Sequence, residues 1–237
     1  MRIGLISDIH SNLEALSAVL SRLESMSVDR VICLGDIVGY GANPVECINM
    51  VREKCDVVLA GNHDFAVAGT QSVSWFNQDA LDSVIWTKNI IDDDMSHYLS
   101  SLPLTHVEKD VVYVHGTPHK PEKWSYIVSM EDALYEFRYF KGSLAFVGHS
   151  HIAGIYCHDG SSCETEINLE RTKRYIINVG SIGQPRDGNS DAAFAVYDDD
   201  SKKVNIEREP YDMESAAQKI YDASLPDYLA SRLSKGI

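Results

Sequence analysis

Residues 143–154 read SLAFVGHSHIAG. The apolar run Leu144–Val147 is short and is stopped by a glycine, the pattern of a buried strand. It ends in Gly148-His149-Ser150-His151, two histidines one residue apart. Taken alone, such a pair reads more readily as packing or surface than as chemistry. The same kind of ending recurs along the chain, however. Arg2–Ser7 stops at Asp8-Ile9-His10, Val31–Leu34 at Gly35-Asp36, Val57–Ala60 at Gly61-Asn62-His63-Asp64, and Val111–Val114 at His115-Gly116. In open α/β sheets the carboxyl ends of the strands form the crevice where ligands bind. Five polar endings of this kind are therefore expected to converge on one edge of the fold. If these segments stay extended, residues two apart point the same way. Asp8 with His10, and His149 with His151, would then each aim two donors at one place. The donors are carboxylate, imidazole and amide oxygen without thiolate, which suits manganese, iron, zinc or nickel better than magnesium or calcium.

The segments between these strands carry helical patterning. Leu13, Leu16, Val19, Leu20 and Leu23 recur at helical spacing, and Ser11 with Glu14 has the form of a capping box. A second helix is expected at about Val45–Lys54, after the turn residues GYGANP. Strands alternating with helices predict a parallel sheet. From Phe65 to His106 the pattern is helix without strand, read as a helical insertion at about 65–106 packed over or beside the sheet. A helix at about Glu131–Phe140 precedes the 144–147 run. Beyond it the chain reads mostly as β, at Ile155–Cys157, Tyr175–Val179, Ala193–Tyr197 and Val204–Glu207, with closing helices around Met213–Ala223 and Tyr228–Leu233. No repeat or linker divides the sequence, so residues 1–237 are expected to form one α/β domain of two sheets with outer helices.

Composition sets limits on function. With 44% hydrophobic and 24% charged residues, the 237-residue chain has ordinary globular composition and length enough for a sizeable core. A net charge of −14 opposes general binding to nucleic acid or to an anionic membrane surface. An anionic substrate would need a local positive field, which bound cations supply. Five cysteines without a CxxC pair fit a reducing compartment. Cys157, His158 and Cys163 cluster, but a zinc knuckle would need a fourth ligand that the spacing does not offer. The first ten residues turn charged too soon for a signal peptide or membrane span, so a cytoplasmic location is expected.

D-x-H, GD, GNHD, a lone histidine after a strand, and GHxH, in this order from Asp8 to His151, resemble the signature of the calcineurin-like metallophosphoesterases, in particular their small bacterial and archaeal branch. The resemblance implies a four-layer αββα sandwich, two facing mixed sheets flanked by helices, with a dinuclear centre at the strand ends. It implies one divalent metal ion held by Asp8, His10 and His151, a second by Asn62, His115 and His149, and Asp36 bridging them. Manganese is the expected metal, with iron, zinc or nickel as alternatives. The implied chemistry is hydrolysis of a phosphoester by in-line attack of a metal-bridging hydroxide. His63 would donate a proton to the leaving oxygen or steady the developing charge.

The second motif departs from the GDxVDRG of the protein phosphatase branch, since GDIVGYG places Gly39 and Tyr40 where that branch has its Asp and Arg. Tyr40 and Asp64 are candidates for substrate contact, and Asp64 has the alternatives of orienting His63 or capping the following helix. Arg186, in the turn NVGSIGQPRDGN, either grips phosphate or pairs with Asp187 or Asp191. Trp75, Trp86, Trp124 and Tyr126 either stack on a base or pack the insertion. The resulting function is a metal-dependent phosphoesterase for a small phosphodiester, phosphomonoester or nucleotide. The alternatives are a diadenosine tetraphosphate hydrolase and, in another class, a non-catalytic metal-binding scaffold resembling a retromer subunit.

Overall fold

The structure is a computed structural model that describes residues 1–163 and 165–237. Its strands are β1 (Arg2–Ile6), β2 (Arg30–Cys33), β3 (Val57–Val58), β4 (Thr105–Glu108), β5 (Val111–Val114), β6 (Leu144–Val147), β7 (Gly154–Cys157), β8 (Ser162–Cys163), β9 (Glu166–Asn168), β10 (Tyr175–Asn178), β11 (Ala192–Asp198) and β12 (Lys203–Glu209). They form two six-stranded mixed sheets, ordered β3-β2-β1-β11-β12-β9 and β4-β5-β6-β10-β7-β8. The α-helices are α1 (Leu13–Ser25), α2 (Pro44–Lys54), α3 (Asn62–Ala68), α4 (Gln78–Ile90), α5 (Asp93–Ser101), α6 (Met130–Glu136), α7 (Met213–Asp222) and α8 (Asp227–Ser231).

Side-chain alternation makes the layers. Ile3 and Leu5 of β1, Leu144 and Phe146 of β6, and Tyr175 and Ile177 of β10 point between the sheets and form the central core. The alternate residues face outward. Ile6 packs with Leu16, Val19 and Leu23 of α1 and with Ile48 and Val51 of α2. Ala145, Val147 and Ile176 pack with Ala133 and Phe137. The result is the expected helix–sheet–sheet–helix order.

Strand register then carries the site residues together. β1 runs parallel to β2, with Leu5 opposite Ile32. Beyond the strand ends the pairing continues, as Asp8 N donates to Gly35 O and His10 N to Asp36 O, both at 3.0 Å. In the other sheet β5 and β6 are parallel with Tyr113 opposite Phe146, and Gly148 N donates to His115 O at 2.8 Å. The polar endings therefore lie on one edge of the facing sheets.

Several local expectations change. The α1 cap is Asn12, whose side chain accepts from Ala15 N, because Ser11 takes a left-handed conformation (φ 55°) and lies outside the helix. The insertion is shorter than expected, since Thr105 and His106 belong to β4, an edge strand paired with β5. Its half-buried, polar-alternating pattern conceals it from apolar-run reading. The helix before β6 ends at Glu136 rather than Phe140. Met95 and Leu99 of α5 join the α2 cluster, so the insertion extends the helical layer beside the first sheet.

Phe146 is fully buried, its ring 5.7 Å from that of Tyr113 on the neighbouring strand and 5.7 Å from that of Tyr197 in the facing sheet. Phe146→Ala is expected to cost about 3–5 kcal/mol, read as a lower urea midpoint with the denaturation slope retained.

Candidate metal centre

Asp8, His10, Asp36, Asn62, His63, His115, His149 and His151 are all buried. The segments that carry them are not extended. Asp8 (φ 54°), His10 (49°), Asp36 (52°), His149 (67°) and His151 (60°) adopt left-handed backbone. The expected geometry of alternating extended residues is thus corrected: the chain curls after β1, β2 and β6, and at Asp8/His10 and His149/His151 two left-handed residues separated by one neighbour aim the paired side chains. Such conformations cost of order 1 kcal/mol or more per residue and cluster where function requires them.

Each centre histidine commits one ring nitrogen to a backbone carbonyl. His10 Nδ1 contacts Val38 O at 3.1 Å, His115 Nδ1 contacts Leu34 O at 3.1 Å, His151 Nδ1 contacts Gln184 O at 2.6 Å, and His149 Nε2 contacts Trp124 O at 2.8 Å. A carbonyl only accepts, so each of these nitrogens carries the proton and the neutral ring presents a lone pair from its other nitrogen. Those second nitrogens face one another: His10 Nε2 and His151 Nε2 lie 3.1 Å apart, as do His115 Nε2 and His149 Nδ1. Opposed lone pairs repel unless a cation or a proton sits with them. Burial disfavours the protonated ring, holding His10 well below its usual value, lowering His151, and taking His149 down to about 3. Burial opposes charge on His115 as well, but the Asp36 and Asp8 carboxylates outweigh it and raise that ring to about 9.

The carboxylates are built alike. Asp8 Oδ2 accepts His149 N at 2.9 Å and its buried Oδ1 has no hydrogen-bond partner. Asp36 Oδ1 accepts His63 N at 2.8 Å, while Oδ2 lies 3.6 Å from His10 Nε2 and 3.3 Å from His115 Nε2. Gly148 and Gly61 allow these approaches, since a Cβ on either would collide with the Asp8 or the Asp36 carboxylate. Burial opposes the charge on both acids, but the adjacent imidazoles prevail and hold both well below the usual carboxylate range. Buried Asn62 Oδ1 also lacks a partner. Donor atoms of Asp8, His10 and His151, of His10, Asp36 and His63, and of Asp36, His115 and His149 lie within 4.8 Å of one another in each set. Unpartnered oxygens beside opposed lone pairs, with nitrogen and oxygen donors and no sulfur, fit borderline divalent cations.

Residues 1–202 match the family model of the calcineurin-like phosphoesterase superfamily domain. The chain belongs to that superfamily. It is 42% identical over 241 residues to an uncharacterized protein of Methanocaldococcus jannaschii, covering 99% of this chain and 98% of that one. A metallophosphoesterase structure from Sphaerobacter thermophilus superposes with a TM-score of 0.90 at 37% identity, covering 100% and 99% of the two chains. A hypothetical protein of Pyrococcus horikoshii shares the fold, with a TM-score of 0.83 at 19% identity and coverage of 100% and 98%.

Around this candidate centre the remaining residues take distinct places. His63 lies 4.9 Å from the His10 ring, 4.5 Å from Tyr40 and 4.9 Å from Phe76, with Nδ1 unpartnered. Gly39 (φ 91°) makes room for it, because a Cβ there would strike the imidazole. Arg186 extends over the Tyr40 ring at 5.7 Å, bonded to Gln184 Oε1 at 2.8 Å. Its alternative partner Asp187 pairs with Arg208. Asp64 does not reach the substrate side. It is fully buried, and its two oxygens accept the N–H groups of Asp36, Ile37, Val38 and Gly61 at 2.8–3.2 Å. It thereby clamps the Asp36 loop and caps α3. Burial and the Asp36 charge push it up to about 7, yet four N–H donors leave no oxygen free for a proton.

Sequence reading missed the carbonyls of Val38, Leu34, Gln184 and Trp124, which have no side-chain signature, and also Phe76. Trp124 and Tyr126 belong to the 115–127 loop, where Tyr126 stacks on His149 at 4.0 Å. Trp86 packs beside the closing helices, and Trp75 is 51% exposed.

Asp64→Asn places an NH2 group against two backbone donors. It is expected to destabilise the fold by about 1–3 kcal/mol in chemical denaturation and to lower manganese affinity measured by calorimetry.

Proposed function

We propose that this chain is a dinuclear metal-dependent phosphoesterase that hydrolyses a small phosphodiester, phosphomonoester or nucleotide. The observation that carries the reading is the two pairs of opposed imidazole lone pairs on either side of Asp36. Asp8, His10 and His151 hold one cation, Asn62, His115 and His149 the other, and Asp36 serves both. Manganese is the expected ion, with iron, zinc or nickel as alternatives. Such cations supply Lewis-acid polarisation of phosphoryl oxygens, acidification of water and compensation of transition-state charge.

The chain's own residues do the rest. The carbonyl-anchored imidazoles and backbone-anchored carboxylates keep their donors fixed, so little reorganisation accompanies reaction. Arg186 grips a phosphoryl oxygen, and Tyr40 walls the approach to His63. Burial holds His63 down to about 4 against the pull of Asp36. An anionic phosphoryl group beside the ring raises it again and so couples the proton on His63 to substrate occupancy. From there the ring passes that proton to the leaving oxygen.

A dinucleoside polyphosphate such as diadenosine tetraphosphate is the second reading, favoured by Tyr126, 49% exposed and able to seat a base. A non-catalytic scaffold would have no use for His63 beside the full donor set. The five free cysteines suit a cytoplasmic location. No described helix is long and apolar enough to cross a membrane.

With manganese added, the protein is expected to cleave bis- or mono-p-nitrophenyl phosphate, and metal-loaded protein inert toward both would overturn the reading. His63→Asn should lower kcat about 100- to 1000-fold with metal content retained by elemental analysis. Asp36→Asn should lose both bound metal and activity.

A further inference from the structure

The helical insertion reaches the candidate centre through the side chain of Gln71. α3 ends at Gly69, whose left-handed backbone (φ 76°) reverses the chain, and Thr70 N donates to Phe65 O at 3.0 Å. Gln71 follows, half-buried. Its Nε2 donates to the Asn62 carbonyl at 2.5 Å, and its Oε1 accepts the Trp124 indole Nε1–H at 2.5 Å. A carbonyl only accepts and an indole N–H only donates, so the two contacts fix the orientation of the amide. Gln71 thus joins the first residue of α3 to the 115–127 loop.

Both ends of this bridge lead to a donor of the same proposed cation. Asn62 keeps its buried Oδ1 free of hydrogen bonds among the described residues. Trp124 O takes the Nε2 proton of His149, which leaves His149 Nδ1 facing His115 Nε2 at 3.1 Å. Trp124 holds that carbonyl in place at a cost, since its backbone is left-handed (φ 53°), a conformation bulky residues rarely adopt. Such a conformation persists only where the surroundings over-determine it. Here the buried indole lies edge to face with Phe65 at 5.8 Å and His115 at 5.9 Å, and Gln71 supplies the acceptor that a buried indole N–H requires. Releasing the indole frees the peptide that anchors His149. The histidines of the other proposed cation are anchored elsewhere, His10 on Val38 O and His151 on Gln184 O.

We propose that Gln71 is a positioning residue for the second cation, holding Asn62 and His149 at a common spacing and so giving the insertion a part in metal retention. The proposal rests on the dinuclear phosphoesterase reading and adds to it a residue that touches neither ion nor substrate.

The test uses the full chain as wild type, Gln71→Met, Gln71→Glu, Trp124→Phe and the Gln71→Met/Trp124→Phe pair. Manganese binding to metal-stripped protein is measured by calorimetry, with urea midpoints recorded alongside and turnover of bis-p-nitrophenyl phosphate measured separately. Gln71→Met, close to glutamine in length but without its amide, is expected to weaken one of the two manganese sites about tenfold and to leave the other unchanged. Trp124→Phe should act alike, and the double variant should bind no more weakly than the weaker single one, because both changes break the same bridge. Gln71→Glu keeps an acceptor for the indole but sets an oxygen against the Asn62 carbonyl, so it too should lose affinity at that one site. Equal weakening of both sites, wild-type affinity in either Gln71 variant, or additive effects in the double variant would overturn the positioning role. A wild type that binds two ions without turnover sinks only the enzymatic reading, and one that binds fewer than two sinks both.

Discussion

Four imidazole lone pairs held inward by four backbone carbonyls are the constraint on which this structure depends. A histidine ring has two nitrogens, and a carbonyl that takes the proton of one decides what the other presents. The carbonyls belong to three loops, the one after β2 (Leu34 and Val38), the 115–127 loop (Trp124) and the turn after β10 (Gln184), so both sheets must be in register for the lone pairs to meet. The left-handed backbone at Asp8, His10, Asp36, His149 and His151 follows from the same demand. A chain leaving a strand in extended form would send these side chains along the sheet edge rather than into the gap between sheets. Packing of the two cores offsets the conformational cost.

The same arrangement fixes the electrostatics. Asp8 and Asp36 are buried and ionised, while only His115 among the centre imidazoles is raised toward its charged form, so negative charge prevails and the cation-free centre repels phosphate. On the proposed reading, divalent ions invert this local field before any anion can enter. Asp64 contributes from behind. By accepting N–H groups from the Asp36 loop and from Gly61, it fixes the positions of Asp36 and of the first turn of α3, and hence of Asn62 and His63. Asp64 thus caps α3, one of its two expected structural roles, and anchors the centre from below instead of contacting substrate.

The two-sheet architecture was legible because its strands are short apolar runs ending in Gly, His, Asp or Asn, a pattern that survives without knowledge of the contacts. Every donor of the candidate centre stood at such an ending. What remained hidden has physical causes. β4 alternates exposed and half-buried residues at a sheet edge, so no apolar run marks it. The choice of Asn12 over Ser11 as the α1 cap follows from the left-handed turn that places His10, a tertiary demand overriding a local motif. The backbone carbonyls that set the tautomers leave no trace in residue type. Arg186 was open between phosphate and an acidic partner, and the pairing of Asp187 with Arg208, which withdraws one of its two candidate carboxylates, is a tertiary contact no residue pattern announces.

The departure in GDIVGYG has a structural answer. Gly39 leaves space that His63 fills, and the Tyr40 ring packs tilted against both His10 and His63, with ring centroids 4.6 and 4.5 Å away. A guanidinium from this loop would have to occupy the volume that Tyr40 takes. The cation instead arrives from the turn after β10, where Arg186 crosses the outer side of the Tyr40 ring. Tyr40 therefore stands against His10 and His63 and serves as the surface on which the closing helices rest through Leu229 and Leu233. The turn that carries this guanidinium is itself joined to the C-terminal tail, where Gly188 N donates to Gly236 O. The candidate metal donors stay at the strand ends, where sheet register holds them.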